Sequence, residues 1–395
     1  MAAIRSIDAL DAAGKRVLVR VDFNAPVADG AVTDDTRIRA ALPTIRKLAG
    51  DGAKVILMSH RGRPDGTGFQ EEFSLAPAAR RLGELLGVPV AMAGDICGDD
   101  ARAKAAALAD GEVLMLENLR FDPREKKNDR AFCEELAELG DAYVNDAFGT
   151  AHRAHASTAG LAELLPSYAG YLLQNEVDTL TGMLDAPRHP FCAILGGSKV
   201  SDKIAVIEAL MDKCDTLVIG GGMCFTFLAA QGYGVGTSLK EDDWVDRAAA
   251  MLRKAGQKGV ELLLPVDVVC ADRFAEDAST RTVAIDAIPV DMMGLDIGPR
   301  TARLYADAIG RAQTVFWNGP MGVFEMDAFA AGTEAVARAV AANKAADTII
   351  GGGDSVAAVN KFGLADAMTF ISTGGGASME LVEGRELPGV AALQR

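Results

Sequence analysis

Three glycine clusters in the second half of the chain have the composition of phosphate cradles: Gly196-Gly197-Ser198-Lys199, Gly351-Gly352-Gly353-Asp354-Ser355 and Thr373-Gly374-Gly375-Gly376-Ala377-Ser378. Glycine lacks a Cβ, so a glycine backbone can bring its N–H groups close to a polyphosphate. The first half has no such cluster. It places Arg and His at the ends of apolar runs, in Ser59-His60-Arg61-Gly62-Arg63-Pro64, Glu117-Asn118-Leu119-Arg120-Phe121 and His152-Arg153-Ala154-His155. Guanidinium forks grip a compact anion through paired hydrogen bonds. One half therefore reads as a holder of nucleotide and the other as a holder of a small anion, a division that suggests phosphoryl transfer.

Single residues sharpen this reading. Lys199 and Lys203 are four apart after the Gly196-Gly197 turn, which on a helix would set both ammonium groups on one face beside its positive N-terminus. Asp354 is a candidate Mg²⁺ contact beside amides that suit phosphate. Asp22 and Asn24 follow an apolar run and suit a substrate hydroxyl, while Arg37, His60, Arg63, Arg120 and Arg153 suit a phosphate and a carboxylate. A lone Arg is ordinarily solvated and a lone His ordinarily structural, and a glycine cluster after one strand is ordinarily a tight turn. Recurrence at the same ends of successive strands is what separates these residues from that background. Neither GxxxxGK[ST] nor GxGxxG occurs, which disfavours a P-loop kinase and an ordinary dinucleotide-binding dehydrogenase.

The elements that must carry these residues are short apolar runs alternating with Ala-rich, helix-favouring segments. Strands are expected over 17–21, 55–58, 88–92, 113–116 and 142–144, then over 192–195, 216–219, 261–264, 314–317, 348–350 and 368–371. Continuous apolar strands separated by helices signal parallel sheets buried on both faces, with right-handed crossovers. Two such series predict an α/β chain of two doubly wound, Rossmann-like domains: 1–169 for the small anion and 188–375 for the nucleotide. Residues 170–187 carry apolar side chains at helical spacing before Pro187 and Pro190, and read as a connecting helix and hinge. The segment 376–395 is expected to return to the first domain.

At 395 residues and 49% hydrophobic, the chain can fill two cores. Its net charge of −15, with neither half basic, argues against nucleic-acid or anionic-membrane partners. Six cysteines stand singly, without CxxC or zinc spacing, as expected of reduced, buried thiols in a cytoplasmic protein. No stretch approaches a membrane span or a signal peptide.

From Arg16-Val17-Leu18-Val19-Arg20-Val21-Asp22-Phe23-Asn24 to Leu387-Pro388-Gly389-Val390 the chain resembles the phosphoglycerate kinase family, with Asn145-Asp146-Ala147-Phe148-Gly149-Thr150 and Trp317-Asn318-Gly319-Pro320 among the specific motifs. The resemblance implies reversible transfer of the acyl phosphate of 1,3-bisphosphoglycerate to Mg-ADP, giving 3-phosphoglycerate and Mg-ATP, by a hinge-closing monomer. It implies that Asp22, Phe23, Asn24, Arg37, His60, Arg61, Gly62, Arg63, Arg120 and Arg153 surround the glycerate. Arg37, Lys199, Gly352 and Gly375 would serve the transferring group. Gly197, Ser198, Lys203, Asn318, Pro320, Gly353, Asp354 and Ser355 would meet nucleotide phosphates and Mg²⁺. Gly220, Gly221, Gly294 and Leu295 would line the adenine pocket, and Glu325 would bond the ribose. Ser198, Ser355 and Arg61 depart from the residues common in the family, Ala, Thr and Leu, and Arg61 adds a charge beside the substrate loop. A phospholigand-binding protein without turnover is the rival reading, against which Arg37, Lys199 and Asp354 stand together.

Overall fold

The computed structural model describes residues 4–394 and divides the chain into two compact units, 1–179 with 386–395, and 180–385. The boundary falls inside the helix Tyr171–Asp185, so the connection is a continuous helix shared by both units.

The first unit contains β1 (Arg16–Arg20), a small hairpin of β2 (Val27–Ala28) and β3 (Ala31–Val32), then β4 (Lys54–Met58), β5 (Val90–Met92), β6 (Val113–Met115), β7 (Ala142–Asn145) and β8 (Ser167–Ala169). Six of these form an all-parallel sheet in the order β5-β6-β4-β1-β7-β8. β1, β4, β6 and β7 are almost wholly buried, as strands covered on both faces must be. One core joins Val17, Val19 and Val21 to Ile38, Ile45, Val55 and Val144. The expected strand over 88–92 is shorter because Val88 is exposed.

The second unit runs through β9 (Phe191–Leu195), β10 (Thr216–Ile219), β11 (Glu261–Leu263), β12 (Asp267–Ala271), β13 (Thr280–Ala284), β14 (Met293–Ile297), β15 (Thr314–Asn318), β16 (Asp347–Gly351) and β17 (Phe370–Ile371). Its main sheet is parallel with the order β11-β10-β9-β15-β16-β17, so the strand sequence reverses direction between β9 and β15. In open α/β sheets ligands bind at such a reversal, beyond the carboxyl ends of the strands. The antiparallel sheet β13-β12-β14 was not foreseen from the sequence: β13 is polar and mostly exposed, and β14 is interrupted by Gly294 and Asp296, so neither partner of the apolar β12 has a strand-like run.

Two further expectations are corrected. Residues 198–203 form bends and turns, and the helix begins only at Ile204, so Lys199 and Lys203 do not share a helix face. Residues 386–395, and not all of 376–395, belong to the first unit, because the helix Gly376–Val382 buries Ala377, Leu381 and Val382 within the second. Cys97 is half-buried while the other five cysteines are buried and free. Among the described residues no helix is long and apolar enough to cross a membrane.

Candidate active site

In the first unit the predicted anion-binding residues gather where β1, β4 and β6 end. β1 delivers Asp22, whose carboxylate accepts from Arg37 Nη1 at 2.6 Å, and Asn24, whose Oδ1 accepts from the Gly62 amide at 2.9 Å. Arg37 stands in the first turn of the helix Thr36–Gly50 and is exposed, as is Arg63. After β6, Asn118 braces two loops: its Oδ1 accepts from the amides of Arg61 (3.2 Å) and Arg120 (3.1 Å), and its Nδ2 donates to Arg61 O (2.7 Å) and Phe73 O (2.9 Å). Arg120 donates to Gly62 O at 2.7 Å, whereas its buried Nε has no protein partner. Arg153 follows the turn Phe148–Thr150 and donates through Nε to His152 Nε2 at 3.2 Å.

The electrostatics are those of a cation cluster under partial burial. His60 is held well below the ordinary imidazole range by burial, and then by Arg20, Arg120, Arg153 and Arg37. Burial, with help from Arg153 and Arg20, brings the Arg120 guanidinium down to about 10, which still leaves it charged at neutral pH. An anion entering here relieves that repulsion.

Two residues named from the resemblance sit differently. Arg61 turns its guanidinium onto the carbonyls of Glu72 (2.7 Å) and Ser74 (3.1 Å), fastening its own loop. Phe23 is fully buried, with its amide donating to Ser59 Oγ at 2.8 Å, so neither its ring nor its N–H is free for a ligand.

In the second unit the glycine clusters converge on the reversal between β9 and β15. The Gly196 amide donates to Asn318 O at 2.9 Å, and a Cβ on Gly196 would collide with the Pro320 carbonyl. Gly352, at φ +87°, packs against the Asn318 amide group and opens the helix Gly353–Lys361, while Gly375, at φ +53°, opens the helix Gly376–Val382. Ser355 is buried with its Oγ accepting from the Gly319 amide at 2.6 Å, so its hydroxyl secures the turn. Lys203 is half-buried and donates to Asn318 Oδ1. Burial lowers its pKa, opposed chiefly by Asp354. Lys199, Ser198 and Asp354 are exposed. Ser201 ties the intervening turn to Glu241 through an O–H bond of 2.6 Å and an N–H bond of 3.0 Å.

These loops line an open hollow of about 260 Å³, bordered by Lys203, Asn318, Gly352, Gly353, Asp354 and Gly375. Gly197 and Asp354 also line a neighbouring, predominantly apolar cavity of about 710 Å³. Its walls include Gly221, Phe225, Leu239, Phe274, Gly294, Leu295, Pro320, Met321 and Glu325, while Gly220 is buried behind them against Met321. β14 slips register against β12 between Val269 and Cys270, so Leu295 is left out of the pairing beside this cavity. An apolar slot continuous with an amide-lined hollow fits a base with its polyphosphate.

The phosphoglycerate kinase family model matches residues 7–385. The chain belongs to the phosphoglycerate kinase family. It is 60% identical over 394 residues to the phosphoglycerate kinase of Synechococcus elongatus, covering 99% of this chain and 98% of that protein. It is equally 60% identical over 384 residues to the phosphoglycerate kinase of Moorella thermoacetica, with 97% of each chain covered. The solved phosphoglycerate kinase structure from Coxiella burnetii superposes with a TM-score of 0.91 at 45% identity over 99% of both chains, and that from Pyrococcus horikoshii with 0.84 at 34%, over 99% and 98%. The chain is thus a phosphotransferase with phosphoglycerate kinase activity, and ATP and ADP are its co-substrates.

Several residues of the site were not foreseen: Arg20, Asn118, Glu125 and Ser157 beneath the anion cluster, and Phe225, Leu239, Phe274 and Met321 around the cavity. Only Arg20 had a visible signal, a charge inside the apolar run Val17-Leu18-Val19-Arg20-Val21.

Proposed function

We propose that the first-unit cluster of Asp22, Asn24, Arg37, His60, Arg63, Arg120 and Arg153 holds 3-phosphoglycerate or 1,3-bisphosphoglycerate, and that the second-unit hollow and cavity hold ATP or ADP. The observation that carries this is the pairing of a partly buried cluster of mutually repelling arginines around His60 on one unit with a glycine-lined hollow and apolar cavity on the other. Arginine forks match the phosphate and carboxylate of the glycerate, while the Asp22 carboxylate and the Asn24 amide suit its hydroxyl. In the second unit, Lys203 and the amides around Gly352, Gly353 and Gly375 meet the polyphosphate, Gly294 and Leu295 flank the base, and Glu325 accepts from the ribose.

The acyl phosphate is already activated, so no side-chain nucleophile is needed. The protein aligns the carboxyl oxygen of 3-phosphoglycerate, the phosphorus and the β-phosphate oxygen of ADP in line. Arg37 and Lys199 then offset charge on the three equatorial oxygens. Because the two ligand sets lie on separate compact units, the units must be brought face to face for transfer and water kept out. Among the described residues no group of three or more His, Cys, Asp or Glu forms a metal cage. Mg²⁺ is commonly held by one carboxylate together with substrate phosphates, and Asp354, which lines the hollow, is the carboxylate that would hold it. When bound, the ion neutralises phosphate charge. A cytoplasmic monomer is the working form we infer.

The test is Mg-ATP-dependent phosphorylation of 3-phosphoglycerate, pulled by glyceraldehyde-3-phosphate dehydrogenase and followed by NADH oxidation. Turnover that falls at least a hundredfold in Lys199→Ala supports the assignment. Unaltered turnover in that variant removes Lys199 from the reaction, and binding of both ligands without turnover in the unsubstituted protein favours a binding protein.

A further inference from the structure

The cation cluster of the first unit rests on a guanidinium outside the proposed ligand set. Arg20 is the last residue of β1, in the middle of the parallel sheet, and only 1% exposed. Its Nε donates to Ser157 Oγ at 2.9 Å, its Nη1 donates to Val21 O, and its Nη2 lies 3.0 Å from His60 Nδ1. Ser157 passes the contact on: its hydroxyl donates to Glu125 Oε1 at 2.6 Å and its amide to Glu125 Oε2 at 3.0 Å. The Tyr143 hydroxyl fixes the same segment by donating to Ser157 O at 2.6 Å. Arg20, Ser157, Glu125 and Tyr143 are all buried. A buried cation is thus balanced by a buried carboxylate one hydroxyl away, which is the condition for keeping both charges inside a protein.

A guanidinium has five N–H donors and no acceptor, whereas a neutral imidazole has one nitrogen of each kind. The 3.0 Å contact therefore requires a bare lone pair on His60 Nδ1, which puts the ring proton on Nε2. We propose that Arg20 is a positioning residue that locks His60 as the neutral Nε2–H tautomer, so that the ring offers an anionic ligand a single fixed donor and takes up no second proton. The proposal rests on reading this cluster as the phosphoglycerate site. Burial and the charges of Arg20, Arg120, Arg153 and Arg37 all oppose a second ring proton, and the nearby carboxylates are engaged, Glu125 with Ser157 and Asp22 with Arg37. Ordinary surface histidines gain that proton near neutrality and change from donor–acceptor to double donor. Here the donor stays the same over the physiological range.

The experiment is ¹⁵N–¹H NMR of the histidine rings in the full chain, with His60→Gln assigning the His60 signals among four histidines. The expected spectrum shows His60 with an unprotonated Nδ1 and a protonated Nε2, unchanged between about pH 5.5 and 8. A protonated Nδ1, or a ring that titrates within that range, overturns the lock. Arg20→Met alone strands a buried Glu125, so the informative variant is Arg20→Met with Glu125→Gln. In it the His60 ring should become a tautomer mixture, with part of the population carrying its proton on Nδ1. The KM for 3-phosphoglycerate should rise about tenfold with the KM for ATP unchanged, a loss of about 1.4 kcal/mol. A tautomer that persists in the double variant also overturns the proposal. If instead the lock is seen but saturating 3-phosphoglycerate leaves the His60 Nε2 signal unmoved, the lock stands and the substrate reading of this cluster fails.

Discussion

At the scale of single residues, geometry assigns separable tasks. A Cβ on Gly294 would run into the ring of Phe225, itself buried, so Gly294→Ala should narrow the base cavity. The expected outcome is a KM for ATP raised at least tenfold with the KM for 3-phosphoglycerate unchanged, read from initial rates; a proportional rise in both would point to general loosening. Lys203 is half-buried at the floor of the phosphate hollow, so Lys203→Met should weaken ATP binding on the order of a hundredfold by calorimetry, about 2.7 kcal/mol. Unchanged affinity would remove the residue from the phosphate contact. The residues proposed to meet ligand were singled out by sequence because glycines, lysines and arginines at strand ends advertise their chemistry. The residues that hold them were not. Asn118 and Ser157 work through contacts with chain 57 and 137 residues away, and nothing local marks them. The carbonyl partners of Arg61 at Glu72 and Ser74 were likewise not legible, since they are set by a loop whose path the sequence does not disclose.

Among the elements, the helix Tyr171–Asp185 has an unusual start. Asp146, fully buried just past β7, accepts from the amides of Leu172 (2.9 Å) and Leu173 (3.3 Å), while its second oxygen has no protein partner. Burial pushes its pKa up to about 7, against the hydrogen bonds from Thr44, Leu173 and Leu172. In the unfolded chain the same carboxyl titrates near 4, so between about pH 4 and 7 the folded state binds the extra proton. Folding stability from this group therefore falls as pH rises through that window and levels off above it. Asp146→Asn removes the charge and keeps the acceptor. Relative to the parent, the variant should gain on the order of 1 kcal/mol per pH unit from pH 4.5 to 7, measured by urea unfolding. A difference that does not vary with pH would sink the assignment. The parallel strands and this helix were readable because apolar runs and helical spacing are local signals, whereas the sheet β13-β12-β14 escaped because the partners of the apolar β12 are a polar, exposed β13 and a β14 broken by Gly294 and Asp296.

For the molecule as a whole, residues 386–395 matter more than their number suggests. Leu387, Val390 and Leu393 are buried, the Gly389 amide donates to Ala151 O at 2.8 Å, and the segment belongs to the first unit. Burial of three such side chains contributes several kcal/mol, on the order of 2 each. Deleting 386–395 should therefore lower the calorimetric transition of the first unit while ATP affinity, housed in the second, stays within about twofold. A single transition lowered along with ATP affinity would show instead that the two units unfold together. If transfer requires the units to come together, small-angle scattering should show a smaller radius of gyration with both substrates bound than with either alone, and an unchanged radius would count against closure. That two units exist was readable from two successive series of strands. The division falls within 170–187, the segment whose helical spacing reads as a connecting helix, whereas the point at which the chain returns to the first unit, 386 and not 376, carries no local signal.

The same return of the chain sets an order of events at the ribosome. Residues 4–179 emerge first but lack the segment carrying Leu387, Val390 and Leu393, which appears only after the whole of 180–385 has been made. At about 5–20 residues per second, some 200 residues of synthesis separate the first unit from its missing piece, an interval of roughly 10–40 s. During it, the surface destined for those side chains is open to chaperones. The second unit, whose residues are contiguous, has no such wait.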